Sequence, residues 1–412
     1  MLPPILEVYV VWHPEDPLGP VAAKLLFEHF HGTAFSGLIG GAVEVYSRST
    51  GWAGVGDAPR PIPFPDTPPP NGSPAAHIVV VVPLLGLGFA RVLQRGDENW
   101  RAFVERIASA EREHRERVGI FPLALDDAAV DGTVLGEVFG RYQRLVPRSG
   151  SELDAETLCR DLTQGITQLT AGGNERIKVF ISHTKRPGVG EAEEVPALIR
   201  AVREVIAGTR LTDFFDAQDL QPGREWEESL LREAASSALL ALRTDLYASR
   251  TWCQREMLVS KLHGMPIVIV DALTAGEERG SFIMDHVPRV PARPSDEGWT
   301  QADIRRALNL LVDECLKRAL WRLQQQLAAH RADLEVNWWA AHAPEPVTLG
   351  DWLEAAQNNN RLPESTAALR ILHPDPPLGP DERRVLEQLV RLIGHRGPLE
   401  VMTPRMLAAR GA

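Results

Sequence analysis

The stretch from Lys178 to Val270 constrains the fold most, because short apolar runs alternate with helical patterns along its whole length. It opens with Lys178-Val179-Phe180-Ile181 and closes with Pro266-Ile267-Val268-Ile269-Val270. Between them, Val195, Leu198, Ile199, Val202 and Ile206 stand at helical spacing, with Gly208 as a stop. The pattern then predicts a short strand over about 212–215 and a helix from about 224, with Trp226 and Leu230 on its apolar side. A strand over 238–242 and a helix over about 252–262 follow. Such alternation implies a parallel sheet with helices on both faces. Folds of this kind place ligand sites where the strands end.

The first 150 residues repeat the order less clearly. Strands are predicted at Leu6–Trp12, Val43–Tyr46, Ile78–Val82 and Val118–Leu125. Ala22, Leu25, Leu26 and Phe30 mark one helix, with Pro20 in its first turn; Trp100, Phe103, Val104 and Ile107 mark another. The section 51–74 is dense in Gly and Pro and reads as a long surface loop. A helix around 155–169 runs into Ala171-Gly172-Gly173-Asn174, a linker by composition. Past the central stretch, Ile304, Leu308, Leu311, Cys315, Leu316, Leu320, Leu323 and Leu327 predict a long amphipathic helix. The tail shows one strand–loop–helix unit, Leu369–Leu372, His373–Pro380 and Arg383–Ile393, whose loop echoes His13–Pro20. The expected division is 1–150, a helix and linker over 151–176, a central domain over 177–330 and a partly helical C-terminal extension over 331–412.

Charge and cysteine usage narrow the class. A net charge of -11 argues against broad nucleic-acid binding, which needs basic surface to displace counterions. Three widely spaced cysteines, Cys159, Cys253 and Cys315, make neither a disulfide framework nor a zinc cluster. The longest near-apolar run, Ile78 to Ala90, contains Pro83 and falls short of the roughly 20 residues a bilayer crossing needs. No basic flank and apolar core of a signal peptide stand at the N-terminus. A cytoplasmic protein without membrane contact is the expectation.

Three groups of residues can carry chemistry. Trp252 and Glu256 are four apart on one predicted helix and share a face, with Cys253 three before Glu256. A carboxylate so placed can polarise a sugar hydroxyl or steady a cationic transition state; the plainer reading is a solvated helical Glu beside a core Trp. Ser182, His183, Thr184 and Lys185 follow a strand, where they can hold phosphate or ribose or simply form a capping loop. No Gly-rich phosphate fingerprint accompanies them. Asp219-Leu220-Gln221-Pro222-Gly223 is a stiff turn, able to gate a cleft or only to join a strand to a helix.

Together these pieces resemble a Toll/interleukin-1 receptor (TIR) domain over roughly residues 177–290. The carrying residues are Phe180-Ile181-Ser182-His183, then Phe215-Asp216-Ala217-Gln218-Asp219-Leu220-Gln221-Pro222-Gly223, then Tyr247 to Glu256 with its Ser-x-x-Trp-Cys-x-x-Glu box. The likeness is greatest to bacterial TIR proteins. It implies tandem flavodoxin-like domains and cleavage of NAD+ at the nicotinamide–ribose bond, giving nicotinamide and linear or cyclic ADP-ribose. It places the catalytic carboxylate on Glu256, the cleft-lining segment on Ser182 and His183, the closing loop on Asp219 to Gly223, and aromatic walls on Trp226 and Trp252. No cofactor is implied, because NAD+ enters as substrate. Self-association through TIR domains, and a separate sensor or effector protein in antiphage defence, are the partners implied.

The N-terminal region is similar to a second, diverged copy. Asp97-Glu98-Asn99-Trp100 stands at the place of the Trp-Cys box, but four residues past Trp100 is Val104, with Glu105 one further. One residue turns a helical side chain by about 100°. This copy is therefore expected to be non-catalytic. The alternatives to an NAD+-cleaving enzyme are a TIR scaffold without activity and a receptor for a nucleotide signal.

Overall fold

The computed structural model describes residues 5–32, 35, 43–54, 59–65, 75–146, 148–149, 152–173, 176–185, 187–214, 226–295, 298–329 and 335–409. The chain forms two compact units, residues 1–174 with 322–324, and residues 175–321 with 325–412. All the strands of their main sheets run parallel.

In the first unit the strands β1 (Leu6–Val11), β2 (Val43–Arg48), β3 (Ile78–Leu85) and β4 (Val118–Ile120) stand in the order β2-β1-β3-β4. Every residue of β1 and β3 is buried, as expected of parallel strands covered on both faces. The strand predicted over 118–125 is broken in two. Pro122 cannot donate to the ladder, and pairing on β3 resumes only at β5 (Leu123–Ala124). The helices are α1 (Gly19–Phe30), α2 (Leu87–Gln94), α3 (Glu98–Glu113), α4 (Val134–Phe139) and α5 (Ala155–Thr170). Asp97 caps α3 by accepting from Trp100 N, and Asp154 caps α5 by accepting from Thr157 N. α5 packs on α1, where His29 Nε2 lies 3.1 Å from Thr163 Oγ1.

The second unit carries β6 (Lys178–Ser182), β7 (Thr212–Phe214), β8 (Ala238–Arg243), β9 (Ile267–Asp271) and β10 (Arg289–Pro291). Their spatial order is β10-β9-β8-β6-β7, which by appearance in this unit is 2-1-3-4-5, the order of flavodoxin-like doubly wound sheets. Alternate residues build separate cores on the two faces. Val179, Ile181, Leu240, Leu242, Val268 and Val270 pack under α6 (Glu194–Ala207) and the start of α9 (Gln301–Ala328). Phe180, Leu239, Ala241, Ile267 and Ile269 pack under α7 (Trp226–Ala234) and α8 (Thr251–Leu262). β10 carries no legible signal, since only Val290 of its three residues is buried and Pro291 fits an edge.

The tail holds more than the single strand–loop–helix unit expected. β11 (Trp338–Trp339), β12 (Leu369–Leu372) and β13 (Leu399–Met402) form a parallel sheet in that order, with α10 (Pro346–Asn358), α11 (Pro380–Leu392) and α12 (Pro404–Ala409). Its core gathers Leu349, Leu353, Leu369, Ile371, Leu386, Val390 and Val401. The echo between His13–Pro20 and His373–Pro380 has a structural counterpart. Each loop leaves a strand flanked by parallel neighbours, β1 or β12, and enters a helix with Pro in its first turn.

Two histidines should make the tail acid-sensitive. His373 is 1% exposed, and burial pushes its imidazole from the usual 6.5 down to about 4. Burial and the Arg318 guanidinium likewise push His342 down to about 4. Between those values the unfolded chain takes protons that the folded chain refuses, so stability falls as the pH drops from about 6.5 towards 4. Urea-unfolding midpoints should fall across that window, and His373→Asn should flatten the fall; an equal slope in the variant would remove His373 from the account.

Candidate functional site

The second sheet reverses its winding between β6 and β8, and doubly wound folds open a crevice at the carboxyl ends of such a pair. Ser182 is the last residue of β6, and Tyr247 follows β8 in a single 3-10 turn, Tyr247–Ser249. α8 starts just beyond, so its second turn brings Glu256 to the same edge.

Three side chains meet there. Ser182 Oγ donates to Glu256 Oε2 at 2.5 Å and lies 2.7 Å from Tyr247 OH. Ser182 gives its one hydroxyl proton to Glu256, so the Tyr247 phenol is the donor in the bond to Ser182. Burial, with Cys253 and Glu256 close by, pushes the Tyr247 phenol well above its ordinary range, so it stays a donor. Glu256 is only 4% exposed, against the plainer expectation of a solvated helical Glu. A carboxyl group so far from water is tolerated where hydrogen bonds receive it.

The Cys253 thiol is buried and donates to the His183 carbonyl oxygen at 3.5 Å, which ties α8 to the residue after β6. Burial and the nearby Glu256 raise that thiol, which makes it a poor nucleophile. Thr184 Oγ1 and Thr244 Oγ1 lie 3.4 Å apart and join the segments leaving β6 and β8. Trp252 is half-buried, with the Arg255 guanidinium 5.0 Å from its ring centroid.

Of the residues singled out in the sequence, Ser182 and Glu256 meet at one sheet edge, the backbone of His183 is tied there through Cys253, and Trp252 lies in the first turn of α8. Trp226 opens α7. Asp219 and the rest of its turn lie outside the described residues. Tyr247 was given no role by sequence reasoning. Its only signal is its place just after an apolar strand and before the Trp252–Glu256 pair.

Among the described residues of the first unit this arrangement does not recur at its own reversal, between β1 and β3. Val104 is fully buried, while Glu105 is exposed and ion-paired with Arg101 at 3.1 Å. The buried Asp16 carboxylate accepts from Gly88 N at 2.7 Å and Phe89 N at 2.9 Å, so this chain's own anion occupies the start of α2. A β-carbon on Gly86 or Gly88 would lie 2.4 Å or 2.8 Å from Asp16 Oδ1, and only glycine admits that approach.

No family model matches the chain, and no curated protein matches it. Among the described residues there is no group of three or more His, Cys, Asp or Glu placed to hold a metal ion. None of the described helices is long and apolar enough to cross a membrane.

Proposed function

We propose that the second unit cleaves the nicotinamide–ribose bond of NAD+, with Glu256 as the catalytic carboxylate. The observation that carries this reading is the 2.5 Å hydrogen bond from Ser182 to a carboxylate 4% exposed at the reversal point of a doubly wound sheet. The chemistry asks for little else. Nicotinamide leaves from a ring that already bears a positive charge, so no acid is needed to protonate it. The ribose becomes oxocarbenium-like, as in glycoside hydrolysis. One carboxylate held in a fixed rotamer by Ser182 and Tyr247 can hold the ribose hydroxyls and offset that charge without reorganising. Resemblance to bacterial TIR proteins supports the same assignment, with self-association completing the cleft and the first unit serving assembly. A tethered second unit raises the effective concentration for such contacts.

The burial of Glu256 also favours a second reading, in which the Tyr247–Ser182–Glu256 chain is a structural tie and the protein a binding scaffold. Incubation of the purified chain with NAD+, followed by mass analysis of the products, separates the two. The enzyme releases nicotinamide with ADP-ribose or its cyclic isomer, increasingly as protein concentration rises. A scaffold releases none at any concentration, with or without a crowding agent.

A further inference from the structure

The Gly- and Pro-rich stretch after β2 has no part in the proposed reaction, yet its described residues are held in place. Arg60 N donates to the Thr50 carbonyl oxygen at 3.4 Å, and Pro59, Ile62 and Phe64 are buried, the last two in the core of the first unit. Long loops inside a compact domain are usually functional.

Two guanidiniums converge where this loop begins. Arg48, the last residue of β2, donates from Nη1 to the Ser47 carbonyl oxygen at 2.9 Å. Arg60 donates from Nη2 to the same oxygen at 3.4 Å. Like charges this close repel, and a guanidinium drawn half out of water ordinarily meets a carboxylate. Among the described residues no carboxylate stands within ion-pair distance of either one, and Arg48 Nε is buried without a partner. The acids of this face lie further down the strands. Glu7 stands opposite Glu44, Tyr9 opposite Tyr46 and Val11 opposite Arg48, so the tyrosine pair separates those acids from Arg48. Glu7 accepts from Tyr9 OH at 2.7 Å, and burial raises its carboxyl above the usual range.

The aromatic groups leave the donors open. The Arg48 guanidinium lies 4.7 Å from the Tyr9 ring centroid, and stacking uses the face of a guanidinium rather than its in-plane N–H groups. Arg60 lies 5.4 Å from the ring centroid of Trp52, an indole that is 83% exposed. A bare indole beside a cation offers its free face to a flat ring. The location agrees, since β2 ends at the carboxyl edge of a parallel sheet, where doubly wound folds hold their ligands. The start of α2 is already taken by Asp16, so an anion here is left to the side chains.

We propose that the carboxyl end of β2 binds a phosphate monoester that carries a flat ring, such as a nucleoside monophosphate, its phosphate on Arg48 and Arg60 and its ring on Trp52. A phosphate suits the pair better than a carboxylate, because its three outer oxygens can meet two guanidiniums and its charge of nearly two offsets both. The site lies in the first unit and does not rest on the NAD+ reading.

The full chain is titrated calorimetrically with AMP, adenosine and inorganic phosphate. AMP should bind with a Kd below about 1 mM, and adenosine and phosphate each at least about tenfold more weakly. Arg48→Gln/Arg60→Gln should weaken AMP at least about tenfold with an unchanged circular dichroism spectrum. Trp52→Ala removes an exposed side chain and leaves the core untouched; it should weaken AMP about fivefold or more, the lower end for one base–aromatic stack. A Kd for AMP weaker than about 1 mM overturns the proposal. Adenosine that binds as tightly as AMP overturns it, and so does undiminished AMP binding in the double variant, which would put the nucleotide elsewhere. If the double variant fails to fold, Arg60→Gln alone and Trp52→Ala decide, and undiminished AMP binding in both overturns it.

Discussion

Glu256→Gln should lower nicotinamide release from NAD+ by about 10²–10³-fold, the usual cost of removing one preorganised electrostatic group from a transition state. The substitution keeps the shape of the side chain and an oxygen that can accept from Ser182, so the folded state should persist. What goes is the negative charge, which matters most when the ribose becomes cationic. The loss should therefore fall on kcat, with KM for NAD+ little changed. Ser182→Ala should cost less, about tenfold, because it frees the carboxylate's rotamer without removing its charge. Far-UV and near-UV circular dichroism, with product mass analysis, check both variants. Turnover that survives Glu256→Gln would falsify the site, whatever the fate of the wider reading.

Lys261→Met should destabilise the second unit by about 3–5 kcal/mol, because it strands a buried carboxylate. The Lys261 and Glu345 side chains are 6% and 8% exposed, and their N···O distance is 2.8 Å. Lys261 Nζ also donates to the Asp285 carbonyl oxygen at 2.7 Å, so one ammonium ties α8 to two other segments. Burial pushes the Lys261 ammonium below its ordinary range, which is the desolvation cost that Glu345 offsets. The double variant Lys261→Met/Glu345→Met removes both charges and should recover most of the loss. Little of the loss should remain, because the bond that closes the start of α10 runs from the Glu345 backbone N–H to Thr348 Oγ1 and survives the substitution. Urea-unfolding midpoints of the wild type and of the single and double variants test this. A double variant as unstable as the single one would mean that packing, not the stranded charge, dominates.

The alternation Val179, Phe180, Ile181 is legible as a buried strand because both faces of a parallel sheet are covered, so no polar residue interrupts it. The spacing of Trp252, Cys253 and Glu256 is legible for a related reason, since a helix turns by a fixed angle per residue. What spacing cannot give is depth. Glu256 in a solvated turn and Glu256 at 4% exposure have the same sequence, and the difference lies in β6 and β8 being neighbours in the sheet. The small elements escaped for a different reason. Trp338–Trp339 and Arg289–Pro291 are too short to show a period, and they exist because a longer strand beside them supplies the ladder.

By itself the sequence determined the layered α/β class, the helix that carries Glu256 and the strand that ends at Ser182, because apolar periodicity and caps act over a few residues. The tertiary structure alone decided that Tyr247, Ser182 and Glu256 form one hydrogen-bonded chain and that Lys261 meets Glu345. It also decided that the tail closes on a sheet of its own. Those pairings span 65, 74 and 84 residues, and only the packing of strands and helices in the folded chain brings such distant groups within bonding distance.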